Sequence, residues 1–276
     1  MRNIFRSAWL ALFATLLAAC TSLTAPGAAS SGDSPPSQPQ LTVFAAASLT
    51  EAFEEIAAAF SLTTEVEVIF NFAGSQQLAQ QLLSGAPGDV FASANPKQMQ
   101  VAVDGGVIAA AAVQPFAGNR LVIVTPADNP AVLRQIADLA RPGVKLALAD
   151  AAAPAGQYAL AMLAKASAAP DFAPTFGDDV LANVVSYEEN VRAVLAKVLL
   201  GEVDAGVVYS SDVTAASRQQ VQIIDIPDAL NITAVYVLAP VADSAQPELA
   251  QAFVDYVSSS AGQEILAKYG FQRVAQ

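Results

Sequence analysis

From residue 41 to residue 269 the sequence alternates between short apolar runs and stretches whose apolar residues have helical spacing. The first apolar run, 41–48, leads into Leu49, Phe53 and Ile56, which recur three or four residues apart and so share one face of a helix. The predicted strands cover 41–48, 65–72, 89–93, 120–126, 145–150, 181–186, 204–210, 221–226 and 233–240, and the predicted helices cover 49–60, 75–85, 131–140, 156–168, 190–200, 247–258 and 261–269. This alternation predicts an α/β fold with largely parallel sheets.

Two of the predicted strands, RLVIVTP after Gly118 and TAVYVLAP after Asn231, are long, apolar and far apart in the chain. If both cross between two lobes, the first lobe comprises 41–118 plus 236–276 and the second comprises 119–235. A cleft between lobes that are joined by two strands suits hinge closure on a ligand.

The first 40 residues have the composition of a targeting segment and a spacer. Arg2 and Arg6 precede an apolar run over 8–17, which is too short to span a bilayer but fits the core of a secretory signal. The ending LAAC resembles a bacterial lipoprotein box, so we predict a signal peptide over 1–20 and a lipid on Cys20; the alternative is a plain signal peptide. Residues 21–40 are rich in Ser, Thr, Pro and Ala and predict a flexible linker. The protein is therefore expected outside the cytoplasmic membrane and held near it by the lipid.

The composition excludes several classes of function. The chain has no histidine and one cysteine, which excludes Ser-His-Asp and Cys-His nucleophile systems, nearly all catalytic zinc sites and any disulfide within the chain. Its net charge of −12 disfavours nucleic acid as a partner. No S-x-x-K or G-x-S-x-G motif is present. We therefore predict that the protein is not an enzyme, while an extracytoplasmic enzyme, an adhesion module and a sensor domain are the competing hypotheses.

Candidate binding residues lie where predicted strands turn into helices. Such turns gather at the carboxyl edge of an α/β sheet, and a helix N-terminus offers unpaired N–H donors that suit an anion. For each residue there is a plainer alternative: Ser48 with Glu51 fits a capping box, and Tyr209 fits a half-buried aromatic residue. The candidates are Ser48, Ser75, Ala155, Val191 and Tyr209.

Seven segments resemble, in order and spacing, the periplasmic molybdate-binding protein family of ABC transporters. They are FAAASLTEAF, FNFAGSQQLAQQL, GAPGDVFASA, PAGQYAL, ENVRAVL, AGVVYSSD and GQEILAKYGF, and the resemblance extends over essentially all of 41–271. It implies a type II periplasmic binding protein fold, in which two α/β lobes are joined by a two-strand hinge and one tetrahedral oxyanion lies in the cleft. It also implies a monomer that needs no cofactor, binds molybdate or tungstate, and delivers it to an ABC permease; sulfate or thiosulfate is the alternative ligand.

The resemblance assigns a role to each candidate residue. Ser48 and Ser75 are expected to donate hydroxyl and backbone N–H bonds, Ala155 and Val191 to donate backbone N–H bonds, and Tyr209 to donate its hydroxyl. The second motif departs from the family, because Ala73-Gly74-Ser75-Gln76 stands where a run of serines is usual.

Neutral donors also fit the charge of the chain, which is −13 once Arg2, Arg6 and Asp33 are left out of the total of −12. Arg192 directly follows Val191, and we expect it either to contact the ligand or to pair with Glu188 or Glu189. A cage made only of donors is expected to reject protonated phosphate, because a fully deprotonated oxyanion only accepts hydrogen bonds.

Overall fold

The computed structural model describes residues 38–274. The predicted signal peptide, the lipidation site at Cys20 and all but the last three residues of the predicted linker lie outside the described residues. The first strand begins at Gln40, inside the predicted linker, and Gln40 pairs there with Glu67.

The described residues contain nine strands and eight α-helices. The strands are β1 (Gln40–Ala46), β2 (Glu67–Ala73), β3 (Val90–Ser93), β4 (Gln114–Pro126), β5 (Leu146–Ala149), β6 (Val184–Glu188), β7 (Ala205–Tyr209), β8 (Val221–Asp225) and β9 (Thr233–Pro240). The helices are α1 (Thr50–Thr64), α2 (Ser75–Leu83), α3 (Pro96–Asp104), α4 (Pro154–Ser167), α5 (Phe176–Ala182), α6 (Val191–Leu199), α7 (Pro247–Ser258) and α8 (Ser260–Lys268).

The strands form two sheets that share β4. The order is β2-β1-β3-β9-β4-β7-β5-β6, and β8 also pairs with β4. Residues 114–120 of β4 pair with β9, whereas residues 121–126 pair with β7 and β8. The chain thus passes from the first lobe, with β1, β2 and β3, to the second lobe, with β5 to β8, along β4. It returns through the segment that enters β9, so the predicted α/β fold of two lobes linked by two strands is confirmed.

The sheets are mixed, and the prediction that they are largely parallel is wrong. β1 is parallel to β2 and β3, and β5 is parallel to β6 and β7. The linking strands β4 and β9 are antiparallel to each other and to their neighbours β3, β7 and β8. Hydrophobic periodicity reports which face of a strand is buried and carries no information about strand direction, which is why the sequence did not reveal this.

Two predicted elements need correction, and one helix was not predicted. Only a 3₁₀ turn over Ile136–Ala140 forms within the helix predicted for 131–140, because Val132 has a φ of +52° and cannot open an α-helix. The strand predicted for 181–186 begins at Val184, since α5 occupies the residues before it. Helix α3 was not predicted, although Asn95 caps it by accepting the N–H of Gln98 at 2.9 Å.

The helices bury their apolar faces against the sheets. Phe53 and Phe60 on α1 are at most 2% exposed and pack edge-on against Phe253 of α7. This core fixes the start of α1, and therefore the β1–α1 turn, relative to the sheet. None of the helices between residues 38 and 274 is long and apolar enough to cross a membrane.

Candidate ligand site between the two lobes

All five residues predicted from the sequence line one small cavity between the lobes. They occupy the ends of strands or the starts of helices, and these turns face one another because β1 and β2 run in parallel, as do β5, β6 and β7. Ser48 lies in the 3₁₀ turn between β1 and α1, Ser75 begins α2, Ala155 is the second residue of α4, Val191 begins α6 and Tyr209 ends β7.

The cavity has room for a single small ion. About 20 Å³ is accessible to the centre of a water-sized sphere. Adding the radius of that sphere gives a void of about 3 Å in radius, which is the size of one tetrahedral oxyanion. Organic ligands occupy pockets of about 300–1,000 Å³, so this cavity does not accommodate one.

Three helix N-termini contribute main-chain donors to the cavity. The first N–H groups of an α-helix have no acceptor within the helix, and α2, α4 and α6 all begin at this wall. Asn190 caps α6 with its side-chain oxygen, which accepts the N–H groups of Arg192 and Ala193. The N–H of Val191 is left outside that cap, so it is available to a ligand.

The two serine hydroxyls are held by hydrogen bonds from the protein. Ser75 is 1% exposed, and its Oγ accepts the N–H of Ala94 at 3.0 Å, which leaves its own proton free to donate. Ser48 Oγ lies 2.8 Å from the hydroxyl of Tyr236. The capping-box alternative for Ser48 is wrong, because α1 begins at Thr50 without a side-chain cap.

The hydroxyl of Tyr209 is the clearest sign of a ligand. Tyr209 is 1% exposed, and its hydroxyl has no hydrogen-bond partner among the described residues. Burial raises the pKa of this hydroxyl well above its usual range, so it stays protonated and can donate. A buried polar atom without a partner is costly, and a bound hydrogen-bond acceptor would remove that cost.

Among residues 38–274, no charged side chain lines the cavity. Arg192, beside it, is engaged with Glu51 of α1 through both terminal nitrogens and lies 3.1 Å from Asp212 through Nε. The expected pairing with Glu188 or Glu189 is therefore wrong. Asp212 is fully buried; this burial raises the pKa of its carboxyl to about 6, although the Arg192 charge opposes the shift. Asp212 also accepts the backbone N–H of Tyr209 at 2.9 Å and so helps to position that residue.

Gly74 allows a close approach between the lobes. A Cβ atom at this position would lie 2.7 Å from the carbonyl oxygen of Glu189 and 2.6 Å from Nε2 of Gln76. These two groups form an interlobe hydrogen bond of 2.7 Å. A side chain at residue 74 would therefore force Gln76 or the Glu189 carbonyl to shift.

Polar contacts join the two lobes around the cavity. Side-chain hydrogen bonds that cross between them include Gln76 Nε2 to Glu189 O at 2.7 Å, Gln77 Nε2 to Glu189 Oε2 at 2.9 Å, Asn95 Nδ2 to Gln157 Oε1 at 3.1 Å and Gln98 Nε2 to Ala152 O at 2.9 Å. The ion pair of Arg192 with Glu51 crosses at the same place. Sequence reasoning missed these partners because they lie 54 to 141 residues apart and belong to no local motif.

Comparison with known proteins finds relatives that match over most of the chain. The family model of bacterial extracellular solute-binding proteins matches residues 41–272. The molybdate-binding protein ModA of Mycobacterium tuberculosis is 38% identical over 272 residues, which are 96% of this chain and 99% of that protein. ModA of Escherichia coli is 34% identical over 84% of this chain and 88% of its own length. The putative ABC transporter substrate-binding lipoprotein YvgL of Bacillus subtilis is 32% identical over 84% of this chain and 85% of its own length.

Solved structures share the fold at lower identity. The sulfate-binding protein SubI of Mycobacterium tuberculosis superposes with a TM-score of 0.76 at 21% identity, covering 86% of this chain and 87% of that one. The periplasmic molybdate-binding protein of Azotobacter vinelandii gives a TM-score of 0.74 at 20% identity, covering 86% and 100%. Both confirm the periplasmic binding protein fold with its two α/β lobes. With a family model spanning most of its length and relatives of more than 30% identity, the chain belongs to the bacterial extracellular solute-binding protein family.

Proposed function

We propose that this protein captures molybdate, and also tungstate, in the cavity between its lobes and delivers it to an ABC permease. The observation that carries the proposal is the buried, unpartnered hydroxyl of Tyr209 at a small cavity lined by neutral donors. The identity to ModA proteins over nearly the whole chain supports molybdate as the ligand.

Neutral donors suffice to hold a dianion. A hydrogen bond to a charged oxygen contributes about 1.5–3 kcal/mol, and the proposed donors are the hydroxyls of Ser48, Ser75 and Tyr209 with backbone N–H groups that include those of Ala155 and Val191. Molybdate is fully deprotonated at neutral pH and only accepts hydrogen bonds, so it matches a cage that only donates. The net charge of the chain is then no obstacle, because no ion pair forms with the ligand.

We also propose that the protein is not an enzyme. In the part of the chain that the structure describes, the cavity lining contains no carboxylate, lysine or cysteine that could act as a base or nucleophile. Tyr209 is the titratable residue in the described lining, and burial raises the pKa of its hydroxyl, which disfavours the phenolate.

The cycle of capture and release is proposed to be a hinge motion. The first lobe comprises 41–118 plus 236–276, the second comprises 119–235, and the contacts of Glu189 with Gln76 and Gln77 hold them closed. A monomer attached by a lipid on Cys20 would present the closed form to the permease; the lipoprotein name of the Bacillus subtilis relative supports the anchor. Replacing Cys20 with Ala is expected to release the protein from the membrane fraction, and an unchanged membrane association would contradict the anchor.

Sulfate is the second candidate ligand. It is also a tetrahedral dianion that only accepts hydrogen bonds, and the fold is shared with a sulfate-binding protein. The size of the cavity then decides between ligands, because the metal–oxygen bonds of molybdate and tungstate are longer than the sulfur–oxygen bonds of sulfate.

Thermal unfolding of the ligand-free protein with molybdate, tungstate, sulfate, thiosulfate and phosphate tests the proposal. A ligand at a thousand times its dissociation constant stabilises by about 4 kcal/mol, which raises the melting temperature by several degrees. We expect this rise with molybdate and tungstate only. A rise in melting temperature with sulfate alone would mean that the ligand is sulfate and not molybdate. No rise with any oxyanion would refute the proposed function.

A further inference from the structure

A chain of buried hydrogen bonds runs from the junction of the lobes to the cavity. Asn119 lies in β4 where its pairing changes from β9 to the second lobe, and it is fully buried. Its Nδ2 donates to the hydroxyl of Tyr236 at 3.4 Å and to Ser211 Oγ at 2.8 Å. The Tyr236 hydroxyl is 2.8 Å from Ser48 Oγ, and Ser48 lines the cavity.

The direction of this chain is fixed at its first member. The side-chain oxygen of Asn119 faces the backbone N–H of Arg120 at 2.9 Å and the hydroxyl of Ser210 at 3.0 Å. A backbone N–H only donates, so the group facing it is the carbonyl oxygen, and the group facing Tyr236 is the NH₂, which only donates.

The proton of the Tyr236 hydroxyl then has one destination. Tyr236 is fully buried, and the acceptor that its hydroxyl contacts with hydrogen-bond geometry among the described residues is Ser48 Oγ, at 2.8 Å. Tyr236 therefore donates to Ser48. Because Ser48 Oγ makes no other hydrogen bond with the described residues, the proton of its hydroxyl is left to point into the cavity.

We propose that Asn119 and Tyr236 are positioning residues that lock the Ser48 hydroxyl as a donor and so select oxyanions that carry no proton. The inference rests on the proposed function. A hydroxyl that is free to rotate can either donate to an oxyanion or accept from a protonated one, whereas the relay from Asn119 removes the second option. A protonated oxyanion such as hydrogen phosphate then meets a donor where its own O–H needs an acceptor.

A double-mutant cycle between Ser48 and Tyr236 tests the relay. Ser48→Ala is expected to weaken molybdate binding about tenfold or more, because one hydrogen bond to a charged oxygen is lost. Tyr236→Phe alone is expected to weaken it about threefold to tenfold, since Ser48 can still donate but is no longer held to do so. The double variant is expected to bind like Ser48→Ala, because Tyr236 acts through Ser48. Independent, multiplying losses would overturn the relay.

The ratio of molybdate to phosphate affinity gives a readout that a structural role does not move. It is measured by calorimetry for molybdate and by competition for phosphate, at mildly alkaline pH where phosphate is the monohydrogen dianion. Tyr236→Phe is expected to lower the ratio about threefold or more in favour of phosphate. Asn119→Asp provides a second variant: the oxygen facing Tyr236 accepts its proton, Ser48 turns to donate to Tyr236, and lone pairs of Ser48 face the cavity. The negative charge added at residue 119 repels molybdate and hydrogen phosphate alike, so the ratio of their affinities still reports whether the Ser48 hydroxyl has reversed its direction.

Tyr158→Phe is the matched control. Its hydroxyl accepts the backbone N–H of Val235 at 3.3 Å, next to Tyr236, but takes no part in the relay. We expect the control to keep the wild-type ratio. Equal ratios in Tyr236→Phe, Asn119→Asp and the wild type would overturn the relay while leaving molybdate binding intact. If the wild type binds sulfate in place of molybdate, the cycle and the ratio are measured with sulfate, and if it binds no oxyanion, both the proposed function and the relay are wrong.

Discussion

Removing the hydroxyl of Tyr209 separates a binding residue from a packing residue more sharply than any other single change. The hydroxyl makes no hydrogen bond among the described residues, while the ring packs edge-on against Tyr236 and Tyr158, with centroids 5.8 and 6.4 Å away. Tyr209→Phe keeps that packing. Because the substitution also removes a buried hydroxyl that has no partner, the unfolding free energy of the ligand-free protein is expected to be at least as high as that of the wild type.

Binding is expected to weaken although stability does not fall. The lost hydrogen bond to a charged oxygen is worth about 1.5–3 kcal/mol, which corresponds to a loss of molybdate affinity of about 10-fold to 150-fold. Calorimetric titration measures the affinity, and chemical denaturation without ligand measures the stability.

Tyr158→Phe serves as the control, because the hydroxyl of Tyr158 has a protein partner in Val235 and lies outside the cavity lining. It is expected to leave the affinity near the wild-type value. If Tyr209→Phe binds molybdate as tightly as the wild type, or loses stability in step with affinity, Tyr209 is a packing residue and the argument from its unpartnered hydroxyl is refuted.

Gly74→Ser is expected to weaken molybdate binding about tenfold or more, because the new Cβ meets the Glu189 carbonyl when the lobes close. The stability of the ligand-free protein is not expected to fall. An unchanged affinity in calorimetry would contradict this prediction. Glu51→Gln removes the interlobe ion pair with Arg192, and an ion pair between partly exposed groups contributes about 1 kcal/mol or less to stability. Molybdate release, measured by stopped flow, is therefore expected to be up to about fivefold faster, and slower or unchanged release would count against an interlobe role. Asp212→Asn removes a carboxyl whose pKa in the folded protein is about 6, above the ordinary 3.8, so ionising Asp212 destabilises the folded state. As pH rises from about 4 to about 6, the free energy of unfolding of the wild type is expected to fall by up to about 3 kcal/mol relative to that of the variant. Denaturation curves of both proteins across this range test the last expectation, and a constant difference would contradict it.

The local part of the fold could be read from the sequence. The buried strands and the helices α1, α2, α7 and α8 have clear periodicity, and Gly85, with a φ of +85°, follows the end of α2 as expected. The strand directions could not be read, because β4 and β9 have antiparallel neighbours that are far away in the sequence, β3 for β9 and β7 for β4, and no local pattern records such pairing.

The five residues that line the cavity could be singled out from the sequence because each lies at the end of a strand or the start of a helix, within a recognisable family motif. Their supporting partners could not. Ser48 and Tyr236 are 188 residues apart, and Arg192 and Glu51 are 141 residues apart, so no local spacing links them. The sequence suggested a helix cap for Ser48 and nearby carboxylates for Arg192. In the structure, Ser48 contacts Tyr236 and Arg192 pairs with Glu51, and both partners lie on other elements.

Diffraction from crystals grown with molybdate, recorded at the molybdenum absorption edge, shows whether neutral donors alone hold the oxyanion. We expect one strong anomalous peak in the cavity, with oxyanion oxygens within hydrogen-bond distance of the hydroxyls of Ser48, Ser75 and Tyr209 and with Arg192 still paired to Glu51 and Asp212. A peak elsewhere, or a side chain of Arg or Lys bonded directly to the oxyanion, would contradict this expectation.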